Sequence, residues 1–267
     1  MEATSSLDAA TPLWPPPRCL SEATSAPGYA DAVITTVSQI ASAEDSCRAT
    51  NLLKQASLQL GADVAAFVSF IPDNDDHAAY RFMMACDPTW CFEYLQQSWF
   101  ANDPWLDYAA RHSEPICASH IGARNDAQRE VLALACRYGF RSAAIIPAPS
   151  NAGLSRVGLL CLGSNTPAYF EADGFVTLRT VARGLAMELN EWWIAKLRDE
   201  VFDGAELSAR DLQLLNWERE GLNSKAIGRL LDMQPTSVDS RFQRLNMKLG
   251  VPNRRAAAKV AAEYGLI

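Results

Sequence analysis

The side chains with the clearest chemical purpose lie near the C-terminus. From Arg241 to Lys259 the chain carries six basic residues and no acidic one. Ahead of and among them stand Thr236, Ser237, Asp239, Ser240, Gln243 and Arg244. Carried into a major groove on a helix, a side chain such as Gln243 can bond N6 and N7 of adenine, and one such as Arg244 can bond O6 and N7 of guanine. Arg241, Lys248 and Arg254 suit phosphate oxygens instead. Asp239 would be repelled by phosphate but can accept from cytosine N4. The net charge of −7 conceals this patch, because residues 203–267 hold ten basic and eight acidic residues. Charge alone slightly favours a plain solvated helix face, so the surrounding pattern has to decide.

That pattern predicts three helices. Ser208 is placed to cap the first, with Asp211 three residues on closing a capping box. Gly221 fits the left-handed residue that ends it. Asn223 caps a short second helix ending near Leu231, flanked by Leu222 and Ile227 at hydrophobic-staple spacing. Pro235 opens the third, which buries Val238, Phe242, Leu245 and Leu249 and turns its polar residues outward. A short second helix, a tight turn and a polar third helix describe a helix-turn-helix that reads double-stranded DNA; they outweigh a plain three-helix interaction module. Reading two half-sites calls for a homodimer.

Upstream, helical spacing predicts two helices between Ala30 and Leu60, then Val64–Phe70 reads as a buried strand. Asp73–Asp76 reads as a turn before a strand around Tyr80–Met84. Helices follow over Pro88–Phe100 and Ala127–Tyr138, with strands at Ser142–Pro147 and Val157–Leu162. From Glu171 a stripe of Phe175, Leu178, Ala182, Leu185, Leu189 and Trp192 predicts a long amphipathic helix, for core packing first and a dimer seam second. The expected class is α+β: a loose arm over 1–28, a helix-covered sheet over 29–194, a linker over 195–206, and an all-α domain over 207–267.

Several chemistries find no support. The seven cysteines are scattered without a C-x-x-C pair, and the three histidines share no ligand spacing, so neither a metal nor another cofactor is expected. The acidic turn lacks the Gly and terminal Glu of a calcium loop. With no G-x-S-x-G elbow and no nucleophile beside a His, enzyme activity is not expected. Neither a secretory leader nor a membrane span is read, which predicts a cytoplasmic protein.

Two resemblances sharpen this reading. Leu207-Ser208-Ala209-Arg210-Asp211, Gly221 and the run from Val238 through Leu249-Gly250-Val251-Pro252-Asn253-Arg254 resemble the LuxR-type DNA-binding domain. Trp90-x3-Tyr94-x8-Asp103-Pro104, with Tyr138-Gly139-Phe140-Arg141-Ser142, resembles the signal-binding domain of acyl-homoserine-lactone quorum-sensing regulators. Taken without the resemblance, Trp90 and Tyr94 are core aromatics one turn apart and Asp103 is a helix N-cap. The resemblance implies an α-β-α sandwich sensor. In it, Trp90 donates to a lactone carbonyl, Asp103 accepts an amide N–H, and Tyr94 packs on or bonds to the head group. It also implies altered wall positions: Cys86 stands where lactone binders commonly have Tyr, Ala118 where a second Trp is expected, and Ala143 where Gly is usual. Cys161 is placed with them. The implied function is a transcription regulator sensing an acyl-homoserine lactone or related small molecule. The alternative is a ligand-independent regulator or anti-activator acting through heterodimers with a related regulator.

Overall fold

The computed structural model describes residues 19–71, 80–150 and 156–267; the Pro15–Pro17 and Asp73–Asp76 runs fall outside them. The first domain begins with three helices, α1 (Leu20–Ser25), α2 (Tyr29–Val37) and α3 (Ser46–Gln59). Strands β1 (Val64–Phe70) and β2 (Arg81–Ala85) follow, then α4 (Thr89–Gln96), α5 (Pro104–Ala109), β3 (Ile116–Cys117), α6 (Asp126–Arg137), β4 (Ser142–Pro149), β5 (Val157–Ser164) and the long α7 (Phe175–Ala205). The strands form one antiparallel sheet in the order β2-β1-β5-β4-β3.

Strand alternation divides the core. Ala65 and Phe67 of β1 pack with α1, α2, α3 and α7, whereas Ala66, Val68 and Phe70 face α4, α5 and α6. Both faces are covered, which is why β4 and β5 read as nearly continuous apolar runs. The result is the expected α-β-α sandwich. Close packing leaves little tolerance at Gly163, where an added Cβ would lie 2.5 Å from a Phe140 ring carbon and 2.7 Å from a Val64 methyl. Gly163→Ala is expected to destabilise the domain by about 1–3 kcal/mol through overpacking, read as a lower denaturant midpoint.

Three expectations need correction. Residues 1–28 do not form a loose arm throughout: α1 lies within them, and Leu20 is fully buried. Leu20 and Ala23, one turn apart, seal the helical face of the sandwich, and Gly28 at φ 76° turns the chain into α2. The 195–206 linker is helical too, because α7 runs on to Ala205 and Leu197 is buried. Its charged straight-chain residues are good helix formers, and the helix stops only where Glu206 turns left-handed at φ 47°. Lastly, Leu178, Ala182, Leu185, Leu189 and Trp192 are all buried within their own domain, so this stripe is core and not a dimer seam.

The second domain packs α8 (Ala209–Arg219), α9 (Ser224–Leu231), α10 (Pro235–Lys248) and α11 (Arg254–Glu263) around a small core that includes Leu214, Ile227, Phe242 and Ala257. Tyr264, just past α11, touches the cores of both domains, and the Arg156 guanidinium at the start of β5 lies 5.7 Å from its ring centroid.

Candidate functional site

Between the sheet and α4–α5 lies a cavity enclosing about 360 Å³ of non-atom space, its mouth included. Strand register builds its floor. Phe82, Val68 and Leu159 stand side by side across three strands, and Met84, Ala66 and Cys161 form the next row on the same face. Above them are Trp90, Cys91 and Tyr94 of α4, then Asp103 with Trp105 and Leu106 of α5. Phe140 backs the wall, its ring centroid 4.6 Å from that of Trp90.

Asp103 is the pocket's fixed polar group. One carboxylate oxygen accepts the Trp105 backbone N–H at 2.7 Å, capping α5, with Pro104 at the first helical position. The other accepts the Tyr94 hydroxyl, also at 2.7 Å. Burial raises the Asp103 pKa above the ordinary carboxylate value, although these hydrogen bonds oppose the shift. The Trp90 indole nitrogen is buried with no hydrogen-bond partner among the described residues. The pocket thus offers an apolar slot with indole N–H donors and a carboxylate acceptor. Its thiols are poor nucleophiles: burial raises Cys91 and, well above its usual value, Cys161. Among the described residues, no cluster of three or more His, Cys, Asp and Glu could hold a metal ion.

Of the six residues expected around a ligand, Trp90, Tyr94, Asp103 and Cys161 meet at this cavity. Cys86 and Ala118 pack against the same cluster but do not line it. Cys86 lies just past the edge strand β2, half-buried, with burial raising its thiol pKa to about 12; Ala118 follows β3 at the opposite edge. Tyr94 donates its hydroxyl proton to Asp103. Sequence reasoning missed Phe82, Met84, Cys91, Trp105 and Leu106. Period-two alternation through β2 would have given the first two.

The predicted caps of the second domain are present. Ser208 and Asp211 exchange both capping-box hydrogen bonds, Asn223 caps α9, and Gly221 sits at φ 82°. The turn into α10 is tight because Gly228 has no Cβ: one added there would lie 2.6 Å from the Met233 carbonyl oxygen. Val238, Phe242 and Leu245 are buried and Leu249 half-buried, leaving Thr236, Asp239, Ser240, Gln243 and Arg244 exposed along α10 and Ser237 and Arg241 half-exposed.

Three of the expected DNA-contacting residues have partners outside their own helix, and a fourth, Ser240, donates within α10 to the Thr236 carbonyl at 2.9 Å. Lys248 donates to the Glu206 carbonyl at 2.7 Å and lies 3.5 Å from Asp211. Asp239 accepts from the Ser224 hydroxyl. Arg254 donates to that hydroxyl at 2.9 Å, lies 2.9 Å from the Glu218 carboxylate, and stacks over Phe242 at 5.4 Å.

Comparison with known proteins agrees with this division. Residues 48–187 match the autoinducer binding domain, and residues 205–261 match the bacterial regulatory proteins of the luxR family. The chain is 21% identical to the transcriptional activator protein AhyR of Aeromonas hydrophila, over 89% of this chain and 92% of that protein. It is 25% identical to the quorum-sensing regulator RhlR of Pseudomonas aeruginosa, over 73% of this chain and 77% of that one. Its fold is similar to the crystal structure of Escherichia coli SdiA, with a TM-score of 0.66 at 18% identity, over 88% of this chain and 97% of that one. AhyR and RhlR are regulators of transcription, not enzymes. With one family model matching more than half of the chain and a second matching the helix-turn-helix, the chain belongs to the LuxR family of quorum-sensing transcription regulators.

Proposed function

We propose that this protein is a cytoplasmic homodimer that binds a neutral acyl signal, an N-acyl homoserine lactone, and reads DNA with the outer face of α10. The observation carrying the ligand reading is the buried Trp90 indole N–H, without a partner among the described residues, in an apolar cavity that also holds the Asp103 carboxylate. A lactone carbonyl satisfies the first and an amide N–H the second. On α10, Gln243 and Arg244 are the exposed base-reading pair, with Thr236, Ser237, Ser240 and Arg241 beside them. The intramolecular bonds of Asp239, Lys248 and Arg254 favour supporting roles for those three.

Thermal unfolding of the full chain with N-butanoyl and N-dodecanoyl homoserine lactone tests the ligand. At a hundred-fold excess over Kd, ligand adds about 2.7 kcal/mol, so the midpoint should climb with concentration. The rise should shrink sharply in Asp103→Asn, which keeps the shape but not the charge. A midpoint that neither lactone moves would refute this reading in favour of a ligand-independent regulator.

A further inference from the structure

We propose that Trp105 is a second reading donor of the pocket, so that the ligand presents two acceptor oxygens and one N–H. The inference rests on the reading of this cavity as the signal pocket. Buried indoles ordinarily find a partner, as Trp192 does in donating to the Ala43 carbonyl at 2.9 Å. Three buried indole nitrogens lack one among the described residues, those of Trp90, Trp105 and Trp193. Trp193 packs between helices on the far face of the sheet, whereas Trp90 and Trp105 line the same cavity. Two orphaned donors on one apolar slot specify two ligand acceptors.

The same count gives the remaining ligand group. The Asp103 carboxylate already accepts three hydrogen bonds, from the Tyr94 hydroxyl and the Trp105 and Leu106 backbone N–H groups, so of its four lone pairs one remains for a donor from the ligand. An N-acyl amide carrying a second carbonyl fits this set, and a plain fatty acid does not. Trp105 is also tied to Asp103, because its own backbone N–H bonds that carboxylate. This tie points to the acyl carbonyl, adjacent to the amide N–H, as the oxygen Trp105 reads, and leaves the ring carbonyl to Trp90. Cys86 supplies no donor in its place, since it does not line the cavity.

Calorimetric titration of the full chain with N-hexanoyl homoserine lactone and N-hexanoyl cyclopentylamide, which lacks the ring carbonyl, separates the two indoles. Trp105→Phe keeps an aromatic ring but deletes the donor, and should raise Kd about ten-fold for both probes. Trp90→Phe should raise Kd for the lactone alone. Equal affinity of wild type and Trp105→Phe for both probes would overturn the assignment of Trp105 while leaving the signal pocket standing. Wild-type protein that binds neither probe would overturn both. Should Trp105→Phe fold poorly, the wild-type protein still decides: the indole N–H resonance of Trp105, assigned through its own ring, moves downfield on adding the cyclopentylamide or the assignment falls.

Discussion

Asp103→Ala is expected to lower the unfolding free energy by about 2–3 kcal/mol and to abolish ligand stabilisation in the same protein. Two losses add. The α5 N-cap goes, at a cost of about 1 kcal/mol. The Tyr94 hydroxyl, buried and donating only to Asp103 in this structure, is left unpaired at a cost of about 1–3 kcal/mol. Relief of the buried carboxylate offsets part of this. Asp103→Asn separates these contributions, because an amide oxygen can still cap α5 and its NH2 group can donate to the Tyr94 oxygen in a reversed hydrogen bond. That variant should fold with near wild-type stability.

The pH dependence has a defined sign. Burial raises the Asp103 pKa in the folded state above that of the unfolded chain, so the folded protein holds this proton more tightly. The contribution to stability is therefore complete below the ordinary carboxylate value and is lost as pH rises through the raised folded value. Across that window the wild type should lose stability relative to Asp103→Asn. Chemical denaturation of both proteins at several pH values checks this, and a difference that widens toward acid would contradict it.

Local chemistry was the most legible part of the sequence. Ser208, Asp211, Gly221, Asn223 and Pro235 each act through the backbone within a few residues, so their positions fix helix ends without reference to the rest of the chain. The grouping of Trp90, Tyr94 and Asp103 is legible only through the family resemblance, because local chemistry alone reads two core aromatics one helical turn apart and an N-cap followed by Pro. Composition misled where it stood in for structure. The charged stretch before Leu207 reads as a linker by polarity, yet it continues α7, and the Ser- and Pro-rich N-terminal stretch hides a short helix that caps the core. What sequence alone could not supply was partner identity across space. Nothing in the order of residues says that Trp105 and Trp90 line one cavity, or that Arg254 meets Glu218.

Arg254 therefore gives the sharpest test in the second domain. From the N-terminus of α11 it meets Glu218 of α8, Ser224 of α9 and Phe242 of α10, so one guanidinium ties all four helices together. Arg254→Ala leaves the Glu218 carboxylate, only 12% exposed, without its cation and strips the stacking from Phe242. With Arg254 itself one-third exposed, water recovers part of the loss, and about 1–3 kcal/mol of domain stability should go. DNA binding should fall with it. Arg244→Ala, on the exposed face of α10, should instead leave stability within about 0.5 kcal/mol of wild type. It should weaken binding to DNA sites selected in vitro by about 1–3 kcal/mol and relax specificity at one base. Arg254→Lys distinguishes the two accounts of Arg254. A phosphate contact survives the exchange, because the charge is kept. A four-helix tie does not, because lysine has neither the planar fork that reaches Glu218 and Ser224 together nor a flat face to lay on Phe242. Denaturant unfolding and DNA titration at two salt concentrations, run on all three variants, should therefore place Arg254→Lys beside Arg254→Ala in stability.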